Sequence, residues 1–233
     1  MRHYSFGEPV WVIGYQTEVV DAAGREVREN HVCHTFFGDQ MVDQRSDREI
    51  VGVYSDHYTH AIRLPEGFGL YFAADETLHW MAMFNNRADR PVRVRMKAIV
   101  TLIRERDRRQ AMQKLYSTLR SVQVPHLYFV PPGRHEQSAA FELTLNGRVH
   151  YMGAHLHPHG VSIELVNSTR RETVWKESVG TQRPAESGVG VYSSAEGYAV
   201  SSGDKFRLTA VYDNPTRDVI DAMAGLYLFY TRN

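Results

Sequence analysis

The segment Lys205-Phe206-Arg207-Leu208-Thr209-Ala210-Val211-Tyr212 alternates polar and apolar side chains along most of its length. Successive side chains of a β-strand point to opposite faces, so a period of two is typical of a strand with one buried face. Turn-forming residues frame the segment, with Ser202-Gly203-Asp204 before it and Asn214-Pro215 after it. It therefore predicts a half-buried strand and establishes the pattern for the rest of the chain.

Further short segments have the same strand-like composition and lie between turn signals, whereas evidence for helices is scarce. They cover residues 10–15, 32–37, 69–72, 78–84, 92–103, 139–145, 150–157, 162–167 and 225–230. Among the separators, Asn146-Gly147 is the strongest hairpin signal, because this pair suits a tight two-residue turn. The pattern predicts an all-β protein.

Residues 104–120 interrupt this pattern with dense charge and no alternation, so they are predicted to connect two halves. For these residues a solvated charged face or a short surface helix is favoured over a binding role. The predicted domains are an N-terminal β-sandwich, residues 1–118, and a C-terminal β-sandwich, residues 119–233. The expected architecture is two antiparallel, jelly-roll-like β-sandwiches packed together.

The composition argues against several classes of partner. Lys plus Arg equals Asp plus Glu, 27 of each, so no field of one sign would attract nucleic acid or an anionic membrane. No apolar run approaches the roughly 18 residues that a membrane-spanning helix needs. The single cysteine, Cys33, excludes an intrachain disulfide and a Cys-rich zinc site. We expect no nucleic-acid partner and no membrane span.

Histidine is the unusual residue, since six of the twelve lie between His126 and His159. On an extended strand His155 and His157 project from the same face, about 6–7 Å apart, which a metal ion can bridge. His159 is expected to turn away, because Pro158 and Gly160 indicate a bend. Zinc, copper, nickel and iron all accept such a pair. The alternative is a polar strand face in solvent.

Met223 suggests which metal the pair would hold. It lies at the start of the last predicted strand, and its thioether is a soft ligand. A set of two histidines and one methionine favours copper, particularly Cu(I), over zinc. Without a neighbouring histidine pair, the same methionine would be interpreted as core packing.

Several motifs together resemble a known family. They are residues 152–160 (MGAHLHPHG), Met223 before an aromatic terminal strand, and residues 15–21 (YQTEVVD) leading to residues 31–38 (HVCHTFFG). This set resembles the copper type II, ascorbate-dependent monooxygenases, the family of peptidylglycine α-hydroxylating monooxygenase and dopamine β-monooxygenase. The resemblance is closer to their bacterial and stress-upregulated nodulin-like relatives.

The resemblance implies two copper sites. His155, His157 and Met223 would form the oxygen-binding site. At the first site His34 matches the second residue of the family's His-His pair, whereas Cys33 stands where the first histidine would be, and Met83 occupies the third ligand position. His31 or His79 could substitute after a small change of register. The alternative for Cys33 is a small buried apolar residue.

The function implied by the resemblance is hydroxylation of a small-molecule or peptide substrate, with copper as cofactor and ascorbate as external reductant. The alternative is a non-catalytic copper-binding protein whose first site is degenerate. In a third hypothesis the chain shares only the fold of the family and binds a protein or glycan, while its histidines bind no metal. Copper chemistry favours a periplasmic or secreted location if a signal peptide is removed ahead of Met1.

Overall fold

A computed structural model describes residues 2–27, 32–39, 52–56, 61–84, 86, 90–179 and 190–233, and nearly all regular structure in them is β. The helical structure in this part of the chain is one 3-10 turn, Glu105–Asp107. The prediction of an all-β fold with antiparallel, jelly-roll-like sandwich sheets is confirmed. No helix among the described residues is long and apolar enough to cross a membrane.

The described residues up to 117 form one compact unit, and those from 118 onward form a second. The sequence-based boundary lies beside this division, between residues 118 and 119. The connection predicted over residues 104–120 is more ordered than expected, because it contains two strands besides the 3-10 turn. They are β9 (Gln113–Lys114) and β10 (Tyr116–Ser121).

The described residues of the N-terminal unit form two sheets. The first has the strand order β1-β7-β3-β4, and the second has the order β5-β2-β6-β9 with β8 also paired to β2. The short β6–β9 pair is parallel. The strands are β1 (Arg2–Tyr4), β2 (Val10–Val20), β3 (Val32–Gly38), β4 (Gly52–Asp56), β5 (Ala61–Arg63), β6 (Phe68–Phe72), β7 (Leu78–Phe84) and β8 (Arg95–Arg104).

In the C-terminal unit, residues 118–179 and 190–233 form two four-stranded sheets, ordered β10-β19-β13-β16 and β12-β17-β14-β15, and a two-stranded sheet of β11 and β18. Its strands after β10 are β11 (Tyr128–Val130), β12 (Gly133–Glu142), β13 (Gly147–Leu156), β14 (Gly160–Asn167), β15 (Glu172–Ser178), β16 (Tyr192–Val200), β17 (Lys205–Asn214), β18 (Ile220–Ala222) and β19 (Ala224–Arg232).

The alternating segment that predicts a strand forms β17. Its even-numbered residues Phe206, Leu208, Ala210 and Tyr212 are buried, while its odd-numbered residues are exposed or half-buried. This pattern arises because one face of β17 contributes to the apolar core and the other does not.

The hairpin predicted at Asn146-Gly147 is wrong. Strand β12 pairs with β17, whereas β13 pairs with β19 and β16, so the chain changes sheets between β12 and β13. Leu143 and Leu145 in this connection are buried while Thr144 and Asn146 are exposed, so the connection packs its leucines on the core as it passes from one sheet to the other. A local turn signal does not specify which sheet the next strand joins.

Strand β13 lies between β19 and β16, and every residue in it except Arg148 is buried. Gly153 pairs directly with Tyr227 of β19. A Cβ added at Gly153 would overlap the Tyr227 ring and come 2.8 Å from its Cζ atom. The absence of a side chain at this position therefore lets Tyr227 pack flat over the middle of β13.

We expect Gly153→Ala to lower the free energy of unfolding by about 1–3 kcal/mol, because the buried Tyr227 ring must move to accommodate the methyl group. Gly225→Ala is the matched control, since a Cβ there would meet its nearest atom, Leu119 Cδ1, at an ordinary 3.4 Å. Urea denaturation measures both variants. Equal stability of the two would contradict this account of the packing.

Candidate metal centre

His155 and His157 lie together at the end of β13. Their ring centroids are 5.2 Å apart, the rings are nearly perpendicular, and the residues are only 6% and 8% exposed. Gly225 lies opposite His155 on β19, so no side chain occupies the position directly across from that imidazole. The local structure gathers two imidazoles close together in a largely buried place, an arrangement that suits a pair of ligands for one metal ion.

Met223 lies opposite His157. It falls between β18 and β19, and its carbonyl oxygen accepts a hydrogen bond from the backbone N–H of His157 at 3.0 Å. The preceding pairs in this register are His155 with Gly225 and Leu156 with Ala224. Residues directly opposite in an antiparallel pair project to the same face. Extending this register by one residue puts Met223 at the backbone position opposite His157, on the side of the strand pair that carries the imidazoles.

The Tyr212 hydroxyl joins the two segments that carry these residues. It donates a hydrogen bond to the Met223 carbonyl oxygen at 2.6 Å and accepts one from the His157 backbone N–H at 3.1 Å. Burial raises the pKa of Tyr212 far above its usual value, and the nearby Tyr128 raises it further. The phenol therefore stays neutral and can act as a donor to the carbonyl.

Asp221 contacts one of the two imidazoles directly. Its Oδ2 atom lies 2.7 Å from Nδ1 of His157. Asp221 is in β18, two residues before Met223, so one short segment brings both residues to the histidine pair. Sequence reasoning missed both Asp221 and Tyr212. The spacing of Asp221 from Met223 is a signal that could have pointed to the aspartate, whereas nothing local points to Tyr212.

His159 turns away from the pair, as its flanking residues suggest. It is exposed and has a positive φ of 71° in the turn between β13 and β14. The Gly160 N–H closes this turn by donating to the His157 carbonyl oxygen at 3.1 Å. The bend after Pro158 therefore ends the strand face shared by His155 and His157.

His150 has a structural role on the same strand. Burial lowers its pKa, so the neutral imidazole is favoured. Its Nδ1 lies 3.1 Å from the Ser194 carbonyl oxygen and its Nε2 lies 3.1 Å from Thr231 Oγ1. A neutral ring satisfies both contacts by donating from Nδ1 and accepting at Nε2. These bonds join β13 to its neighbouring strands.

The residues proposed for a first site lie in the N-terminal unit. His34 of β3 pairs directly with Met83 of β7. The register shifts between Val32 and His34, so Cys33 is the extra residue of a β-bulge, a feature that re-aims side chains locally. Cys33 and His34 are half-buried, whereas Met83 is 49% exposed. The sheet therefore pairs one histidine with one methionine, and the cysteine directly precedes that histidine in sequence.

Of the two histidines considered as substitutes, His79 does not lie next to His34 and Met83. His79 pairs with Gly38, four residues along β3 from His34, which corresponds to about 13 Å of strand. Its ring instead contacts that of His3, with the centroids 4.8 Å apart. His31 lies outside the described residues.

Comparison with known proteins does not identify a family. No protein-family model matches the chain, and no curated protein matches it. Similar solved structures include infectious bursal virus derived T=1 particles and the VP2 subviral particle of infectious bursal disease virus, each with a TM-score of 0.29 and 10% identity. They match 99% of this chain, which spans 56% and 58% of theirs. At these TM-scores the likeness carries no argument.

We expect Tyr212→Phe to lower the free energy of unfolding by about 1–3 kcal/mol, because it removes the buried hydroxyl between His157 and Met223. Tyr192→Phe is the control, since that half-buried hydroxyl makes no hydrogen bond within the described residues. Chemical denaturation compares the two variants. A loss no larger than that of Tyr192→Phe would show that the bridge contributes nothing to stability.

Proposed function

We propose that this chain is a copper-binding protein of the kind represented by the ascorbate-dependent copper monooxygenases, and that His155, His157 and Met223 hold the copper. One observation carries the proposal: two buried imidazoles lie 5.2 Å apart, and Met223 lies opposite one of them. The chemistry of this donor set fits copper, since imidazole and thioether are both good ligands for Cu(I).

Copper bound by such ligands would supply electron exchange and dioxygen binding. The surrounding residues fit that role by fixing the geometry of the ligands. The Tyr212 hydroxyl holds the Met223 carbonyl and the His157 backbone together, and burial of both imidazoles limits access of water. The proposed substrate is a small molecule or a peptide, with ascorbate as the external reductant.

A second candidate function is copper binding without catalysis. It is favoured by the donors of the N-terminal unit, where Cys33, His34 and Met83 replace the three imidazoles of the family's first site. Thiol and thioether donors suit Cu(I), but a thiolate beside a metal that cycles between oxidation states is exposed to oxidation. A two-copper monooxygenase needs both sites, whereas a copper-binding protein needs only the site at His155.

Copper content tests the proposed site. After anaerobic loading with Cu(I) and removal of excess metal, we expect the wild-type protein to retain at least one copper per chain. The His155→Ala, His157→Ala double variant should lose one equivalent, because it removes both imidazoles. His135→Ala is the matched control, since it removes one imidazole from β12, in the other large sheet of the same unit.

Unchanged copper content in the double variant, or a strong preference for zinc over copper in the wild type, would contradict the proposal. His34→Ala distinguishes the two candidate functions. A fall from two coppers per chain to one would favour the monooxygenase, whereas a wild-type content of one copper that His34→Ala leaves unchanged would favour the copper-binding protein.

A further inference from the structure

The contact between Asp221 and His157 bears on which imidazole nitrogen carries the proton, as well as on the position of the ring. The Oδ2–Nδ1 distance of 2.7 Å is that of a charge-assisted hydrogen bond. The His157 side chain is 10% exposed, while that of Asp221 is 63% exposed. The carboxylate therefore reaches a buried imidazole from the solvent side of the site.

The chemistry of the two groups assigns the proton. An ionised carboxylate only accepts hydrogen bonds, so the imidazole nitrogen facing it must be the donor. In a neutral His157 the proton then lies on Nδ1, and Nε2 keeps its lone pair. A metal ligand needs that lone pair, and a histidine that binds metal commonly donates its other ring N–H to a carboxylate.

The position of Asp221 in the fold links this bond to the other candidate ligand. Strand β18 ends at Ala222 and Met223 follows it, so the aspartate and the thioether belong to one short segment. The register of β18 against β11 pairs Asp221 with Phe129, and Tyr212 ties Met223 to His157. Strand pairing thus holds the backbone of Asp221, and the Tyr212 hydroxyl holds that of Met223 next to His157.

From this geometry we infer that Asp221 is a positioning residue of the proposed copper site, which holds His157 in the Nδ1–H form and leaves Nε2 as the nitrogen that binds the metal. The inference rests on the proposed function for the identity of the metal. The assignment of the proton does not, because it concerns the metal-free protein.

The first experiment uses the metal-free protein. Nitrogen-15 NMR of the imidazoles at about pH 8, above the usual range of histidine pKa values, distinguishes the two neutral tautomers. We expect His157 to carry its proton on Nδ1 in the wild type and in Asp221→Glu. In Asp221→Asn the amide can donate to Nδ1, so we expect the proton to move in part to Nε2.

The second experiment measures Cu(I) affinity by competition with a chromophoric chelator. We expect Asp221→Asn to weaken Cu(I) binding by about tenfold. Loss of a carboxylate bonded to a metal-binding histidine weakens metal affinity by about 10- to 100-fold, and the lower end applies here because Asp221 is largely exposed. Asp221→Glu should recover part of the loss. Asp218→Asn is the control, since it removes one charge nearby from a carboxylate without a hydrogen bond or ion pair among the described residues.

The outcomes separate this inference from the proposed function. A wild-type His157 protonated on Nε2 would overturn the inference, and so would an affinity loss in Asp221→Asn without a change of tautomer. An affinity equal to that of Asp218→Asn would also overturn it. If the wild type bound no copper, the proposed function and the positioning role of Asp221 would fail, while the NMR result would still decide the assignment of the proton.

Discussion

The antiparallel pairing of β13 with β19 is the constraint on which the candidate site depends. Its register places Gly225 opposite His155 and brings Met223 opposite His157. A shift of one residue would turn the imidazoles to the other face of the sheet, because side chains alternate along a strand. Both strands are buried on both faces, so such a shift would disrupt close contacts such as that of Gly153 with the Tyr227 ring.

At the end of the β13–β19 pair, His157 and Met223 are hydrogen-bonded by residues that belong to neither strand, Tyr212 and Asp221. Tyr212 belongs to the other large sheet of the unit, and Asp221 to the small sheet of β11 and β18. Three sheets thus contribute groups to the surroundings of one histidine, His157. Preorganisation of this kind is what distinguishes a ligand pair from two neighbouring surface histidines.

The two sets of candidate ligands differ in how strongly the structure organises them. In the C-terminal unit both histidines are buried, and His157 is hydrogen-bonded to Asp221 and Tyr212. In the N-terminal unit Cys33 lies in a β-bulge and Met83 is exposed, so surrounding residues hold these donor atoms less firmly. This contrast favours the C-terminal unit as the location of the proposed copper site. The sulfur donors Cys33 and Met83, which replace imidazoles in the N-terminal unit, favour it as well.

The sequence by itself determined the all-β class, the strand at Lys205 and the pair His155 and His157, because period-two patterning and spacing within one strand are local properties. It could not specify that β12 and β13 join different sheets, since the Asn146-Gly147 turn signal contains no information about strand partners. Nor could it reveal Asp221 and Tyr212 beside His157. Those contacts join residues 55 and 64 positions apart, and only the tertiary structure brings them within hydrogen-bonding distance.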